Sequence, residues 1–215
     1  MQNTFLNRAI HGDCIDLMKT MPSHSVDLVL TDPPYVANYV SRDQRSIAND
    51  DHDGWIEPAF TEIYRLLKPD RFCLSFYGWP QADRFLWRWK KIGFRPVSHF
   101  AFIKDYSSKA GFTQGHHEVA YLLAKGQPEP PPEPIRDVLH WDYTGNPLHP
   151  NQKPLSIILS LITAFSRPGD IVLDPFAGSG TTAVAALERG RQFILMEKVA
   201  RYWQAANDRI ERRKL

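Results

Sequence analysis

The sequence predicts an α/β protein: a doubly wound, mostly parallel sheet with helices on both faces. Three observations predict it. Short β-branched runs alternate with stretches of helical period. A glycine turn, "DPFAGSGTT", joins one such run to a helix. The 215 residues, 43% hydrophobic and 23% charged, suit a globular core of ordinary domain size.

The elements follow in chain order. "VDLVLT" (Val26 to Thr31) reads as a buried strand and runs straight into "DPPY". Residues 36–54 are polar and aspartate-rich, too long for an ordinary connection, and read as a mobile functional loop or as disorder. "WIEPAFTEIYRLLK" reads as a helix, Phe72 to Tyr77 as a strand, and "QADRFLWRWKKIG" as a helix stopped by Gly93. His99 to Lys104 and Glu118 to Ala124 read as strands with no helix between them, so they pair antiparallel at one edge of the sheet. "PEPPPEP" then forces an extended path, as a stiff spacer or a peptide ligand; its acidic character favours the spacer. "LSIILSLITAFS" reads as a helix, Asp170 to Asp174 as a strand, "TTAVAALERG" as a helix ended by glycine, and Gln192 to Glu197 as a strand. There is no internal repeat, and residues 1–215 are expected to form one domain.

Composition narrows the classes of function. Cys14 and Cys73 each stand beside apolar residues and read as buried free thiols. The start lacks the pattern of a signal peptide, and no stretch reaches the ~20 apolar residues that span a membrane. A cytoplasmic, non-membrane protein is expected. The net charge of +2 permits a polyanionic partner without demanding one. The eight histidines show no metal-ligand spacing, so no metal is expected; His116 and His117 point apart in a strand.

Two motifs carry chemistry. In "DIVLDPFAGSGTT" a strand ends in Asp174, turns at Gly178 and Gly180, and opens a helix at Thr181 and Thr182. Such a turn lets a ligand approach the backbone, although tight strand–helix packing explains glycines equally well. No lysine follows Gly180, so this is not an ATP loop, and the third glycine of a dinucleotide fingerprint is missing. With Glu197 at the end of the next strand, positioned to accept hydrogen bonds from ribose hydroxyls, the ligand reads as a nucleoside with a polar tail. In "TDPPY" the prolines hold Asp32 and Pro33 extended at a strand's carboxyl end. A carboxylate and a backbone carbonyl aimed at one point suit an exocyclic amine, and Tyr35 offers a flat face to an extruded base. The plainer alternative is a strand-terminating turn.

Together these residues resemble the S-adenosylmethionine-dependent amino-methyltransferases of DNA. The order, amine motif before cofactor motif, is similar to their circularly permuted β group. The likeness covers nearly the whole chain in five blocks: "HGDCIDLMKTMPSHSVDLVLTDPPY", "GFTQGHHEVAYLLAKG", "LHPNQKPLSIILSLI", "DPFAGSGTT" and "QFILMEKVARYWQAANDRI". It implies a Rossmann-like, permuted fold with a seven-stranded sheet and an antiparallel edge strand. It implies catalytic roles for Asp32, Pro33, Pro34 and Tyr35, Asp32 also touching the cofactor. Asp13, with Cys14, falls at the cofactor's adenine, and His149, Lys153 and Pro154 at its methionine end. Asp174, Phe176, Ala177, Gly178, Ser179, Gly180, Thr181 and Thr182 fall in the cofactor turn, and Glu197 with Lys198 at the ribose.

An aspartate at the head of the tetrad resembles the adenine-N6 branch, so the partner implied is DNA with a flipped target adenine, in a prokaryotic cell, plasmid or phage host included. Cytosine-N4 or RNA-adenine methylation and a non-catalytic DNA-binding subunit of the same fold are the alternatives. Cytosine-C5 chemistry needs a cysteine nucleophile that neither thiol provides. The chain departs from larger relatives in a short target-recognition insertion at about residues 126–148. Specificity is then short, relaxed or supplied by a second subunit, which allows a homodimer. Arg42, Arg45, Lys104, Lys109 and Arg136 border the polar regions as candidates for DNA backbone, and "RIERRKL" reads as a solvated helix end.

Overall fold

The structure, a computed structural model, describes residues 4–37, 47–107, 112–146 and 148–214. Its strands are β1 (Arg8–His11), β2 (Val26–Thr31), β3 (Leu67–Tyr77), β4 (Arg95–Lys104), β5 (His117–Lys125), β6 (Val138–Trp141), β7 (Ile171–Asp174) and β8 (Gln192–Glu197). They form one sheet in the order β1-β8-β7-β2-β3-β5-β4-β6. All neighbours pair parallel except at β5, which runs against both β3 and β4. The expected antiparallel pairing of His99 to Lys104 with Glu118 to Ala124 is present, with Phe100 opposite Ala120.

The sheet has eight strands where the resemblance implied seven, and its antiparallel strand is internal rather than at an edge. The eighth strand is β6, formed by residues within the expected insertion that leave the proline-rich stretch and add to β4, Ala101 opposite Val138; the antiparallel strand is internal because β5 inserts between β3 and β4. At the other edge β1, four residues long, pairs with β8.

Helices cover both faces. On one lie α1 (Cys14–Lys19), α2 (Ile56–Leu66) and α3 (Ala82–Ile92); on the other lie α4 (Leu155–Phe165), α5 (Thr181–Glu188) and α6 (Ala200–Lys214). In α2 the buried residues Ile56, Ala59, Phe60, Ile63 and Leu66 recur at helical spacing and meet Val29 and Cys73 of the sheet. Strand alternation sends Leu28, Leu30, Leu74 and Phe76 to the opposite core, against Ile157 and Ala183. Helix α3 stops at Gly93 in the left-handed conformation (φ 116°). Strand β3 begins at Leu67, inside the stretch read as helix, because the chain turns from helical to extended at that residue without an intervening loop.

Every residue of β2 is buried, which suits a strand covered on both faces. Its one charged member, Asp27, lies toward the amino end, paired with Lys68 (2.7 Å) and Arg71 (3.5 Å) and accepting from the amide of Ile171 (3.1 Å). The opposite, carboxyl end is left for other chemistry. Both cysteines are free and buried. Among the described residues no helix is long and apolar enough to cross a membrane, and no group of three or more potential ligands is placed to hold a metal ion.

Candidate active site

The connection from β2 leads to β3 on one side, and the connection from β7 leads to β8 on the other. The strand order therefore reverses between β2 and β7, and a doubly wound sheet opens a crevice at the carboxyl ends of such a pair. Register brings the two motifs together: Leu28 lies opposite Val172 and Val29 opposite Leu173, so Asp32 and Asp174 emerge at the same edge. Asp174 is opposite Leu195, two residues before Glu197, and His11 is opposite Glu197, which places Gly12 and Asp13 beside that acid. One cleft collects these ends. It is lined by Asp13, Asp32, Asp174, Gly178 and Glu197 among others.

On the β7–β8 side the turn is held from three directions. Glu197 Oε2 accepts from the Gly178 amide (2.8 Å) and Oε1 from the Val199 amide (2.7 Å), so the acid braces the turn where it lines the cleft. Burial raises the Glu197 carboxyl above its usual range, against the amides that favour its charge. Asp174 accepts from the Thr182 hydroxyl (2.6 Å) and the Phe176 amide (3.1 Å), and burial pushes it up to about 7. From behind, α6 clamps the turn: Arg209 donates to the Ser179 carbonyl (2.9 Å) and the Thr181 hydroxyl (3.1 Å). The tail read as a solvated helix end thus turns its first arginine inward, while Arg212 and Arg213 remain exposed.

Gly180 owes its identity to α6. A Cβ there would lie 2.9 Å from the Cβ of Ala206, at φ 78°. Gly178 differs: its Cβ would meet the His149 ring at 3.4 Å, an ordinary contact. Beside Glu197, Asp13 caps α1, accepting from the Ile15 amide (3.0 Å), and pairs with Lys198 (3.1 Å).

On the β2 side both oxygens of Asp32 are engaged. Oδ1 accepts from the Tyr35 hydroxyl (2.8 Å), and Oδ2 accepts a close contact from Lys153 Nζ, reaching in from the start of α4. Burial raises the Asp32 carboxyl, and the Lys153 charge pulls against that rise. Tyr35 backs on Gly78, where a Cβ would come within 2.8 Å of the tyrosine Cβ, so no larger residue fits behind the ring.

Of the expected site residues, Asp13, Cys14, Asp32, Pro33, Pro34, His149, Lys153, Asp174 and Phe176 line the cleft, as do Ala177 to Ser179, Thr181, Thr182, Glu197 and Lys198. Three stand back from it. Gly180 packs on Ala206, Pro154 is the N-cap residue of α4, and Tyr35 lies behind Asp32. Lining residues that the motifs did not mark include Trp55, Phe76 and Tyr202. Tyr202 meets the His149 ring edge-on at 4.4 Å, a contact across the chain with no local signal in the sequence. Lys104, read as a candidate for DNA, is buried and paired with Glu118 (2.7 Å). Arg136 is exposed; Arg42, Arg45 and Lys109 lie outside the described residues, as does part of the polar loop. Cys14 is no nucleophile: burial, then the neighbouring Asp13, pushes its thiol up to about 12.

Comparison with known proteins follows the same lines. The model of a family described as DNA methylase matches residues 26–208. The chain is 48% identical over 205 residues to YubD of Escherichia coli (strain K12), a protein that carries the name methylase, covering 95% of this chain and 90% of that one. Among solved structures, TTHA0409 of Thermus thermophilus complexed with S-adenosyl-L-methionine superposes with a TM-score of 0.74 at 25% identity, over 96% of this chain and 94% of that one. The cytosine-N4-specific PvuII DNA methyltransferase superposes with a TM-score of 0.79 at 19% identity, over 96% and 89%, a likeness of fold.

Proposed function

Because the chain belongs to the DNA methylase family, whose model spans residues 26–208, we propose that it transfers the methyl group of S-adenosylmethionine to the exocyclic N6 amine of adenine in DNA. Methyl transfer from this cofactor to a DNA amine is the family's activity; adenine N6 is the finer reading, supported by the Asp-Pro-Pro-Tyr tetrad. The observation that carries it is the shared cleft: Asp32 faces the same space as Asp13, Gly178 and Glu197.

The donor set fits the cofactor. Glu197 and Asp13 offer acceptors for a nucleoside's hydroxyl and amine groups, Ile15 and Phe176 offer apolar walls, and the carboxylates of Asp32 and Asp174 suit a cationic sulfur. When bound, S-adenosylmethionine supplies an electrophilic methyl group on a sulfonium. The chain's own residues do the rest. Asp32 and the Pro33 carbonyl receive the amine's two N–H donors, which withdraws the nitrogen lone pair from the ring and aims it. Each Asp32 oxygen already accepts one bond and has a second lone pair to give. In this reading Tyr35, which stands behind Asp32, turns toward the cleft to stack on the extruded base, a contact worth about 1–3 kcal/mol against an unstacking cost of a few kcal/mol. Alignment and fixed charge carry such an in-line transfer without a covalent enzyme intermediate. Residues 126–148 read the target in this proposal, within a single catalytic domain, and a homodimer in a prokaryotic cytoplasm accords with it.

The test is nucleoside analysis of DNA after incubation with labelled cofactor. N6-methyladenine is expected, and Asp32→Ala should abolish it while leaving cofactor binding within a few-fold. Turnover retained in Asp32→Ala refutes the assignment; label in N4-methylcytosine moves the target to the family's other branch.

A further inference from the structure

The resemblance places Lys153 at the methionine end of the cofactor, but its contacts point elsewhere. Its ammonium meets the Asp32 carboxylate and, at 3.5 Å, the Asn151 carbonyl. Three ring faces surround it, at 5.6 Å (Tyr35), 5.0 Å (Phe76) and 5.8 Å (Trp141). The side chain is 9% exposed. Desolvating an ammonium costs several kcal/mol unless other groups replace its water, and here a carboxylate, a carbonyl and aromatic quadrupoles do so. The rings come from the catalytic tetrad, the end of β3 and the edge strand β6. Trp141 is fixed in turn by Phe102 (6.2 Å between centroids), and its neighbour Asp142 accepts from Ser156 of α4 (2.5 Å).

We propose that Lys153 is a positioning residue for methyl transfer, acting through Asp32 rather than gripping the cofactor: held in a cage of Tyr35, Phe76 and Trp141, it aims the carboxylate at the target amine. The inference rests on the reading of Asp32 given above. Of the groups facing Asp32, Glu118 of β5 and Asp174 of β7 oppose its charge, the Tyr35 hydroxyl favours it, and Lys153 supplies the positive charge. Glu118 is itself tied to Lys104. Losing Lys153 would leave Asp32 buried among carboxyls, so its proton would be held to higher pH and its aim lost.

The experiment compares wild type with Lys153→Gln in single-turnover methylation of unmethylated genomic DNA at saturating labelled S-adenosylmethionine, from pH 5.5 to 9. Positioning through Asp32 predicts a loss of about 100-fold or more at pH 6.5 that narrows as pH rises, an acid limb displaced upward by about one pH unit or more, and a dissociation constant for S-adenosylmethionine within about threefold of wild type. A dissociation constant raised tenfold or more, with the saturated rate and acid limb unchanged, overturns the proposal and returns Lys153 to the cofactor. Should Lys153→Gln fail to fold, thermal melting of Lys153→Met against Asp32→Asn/Lys153→Met decides. Pairing predicts that the neutral double variant melts higher; one that melts no higher refutes the contact. Full turnover in Asp32→Ala would instead sink the underlying reading, whatever Lys153 does.

Discussion

Gly180→Ala tests the claim that the glycine turn after β7 is shaped by the helix behind it. The perturbation adds one methyl group. Its carbon would sit 2.9 Å from the Ala206 Cβ and 3.1 Å from the Ala206 Cα, both on a buried helical residue with little room to move. Two terms add: about 1–2 kcal/mol for an L-residue in the left-handed region, and about 1–3 kcal/mol for overpacking a dense interior. Gly178→Ala is the internal control. It shares the left-handed strain (φ 51°) but meets the His149 ring at ordinary contact distance, so the second term drops out. The expected difference is therefore the overpacking term, about 2 kcal/mol, or roughly 4–8 °C in melting temperature for a chain of this size. Thermal unfolding followed by circular dichroism without cofactor measures it. Ala206→Gly, which removes the nearest obstructing atom, should recover part of the loss. If the two alanine variants melt together, the turn is not wedged against α6 and the account of Gly180 is wrong.

Two further outcomes follow from the site's electrostatics and capping. Asp174 has its proton held up to about 7 against an ordinary 3.8, so its contribution to stability is present below about 4 and is lost as pH rises through about 7; Asp174→Asn should accordingly gain on wild type over that window, by up to about 4 kcal/mol, and chemical denaturation at pH 4 and pH 8 showing no change in the gap would contradict it. Asp13→Ala removes the cap of α1 and the partner of Lys198, so melting should fall by an amount matching about 1 kcal/mol and cofactor affinity should weaken in an equilibrium binding assay; an unchanged melting temperature argues that the cap contributes nothing.

The sequence was most legible where burial and period agree. β2, β7 and β8 are short, largely apolar runs that end in an acid or run straight into one, and their carboxyl ends share one cleft because strand direction and order follow from the connections between them. The short edges were not legible. "RAIH" and "VLHW" become strands by pairing with β8 and β4, an interaction that no local pattern announces. The same holds for side chains whose partners lie far along the chain. Lys104 looks like a surface cation until β5 brings Glu118 beside it, and the Lys153–Asp32 contact spans 121 positions. The motifs marked residues that the fold gathers in one cleft, while the tertiary ties among Asp32, Tyr35, Lys153 and Trp141 needed the fold.

The place of β6 limits how a new specificity could be grafted onto this scaffold. A cassette exchanged between residues 126 and 148 would strip the outermost ladder from β4 and take Trp141 away from the lysine beside Asp32. Transplants that spare Val138–Trp141 and vary only the flanking turns should keep the parent's turnover, whereas wholesale swaps should yield folded proteins that bind S-adenosylmethionine yet methylate slowly.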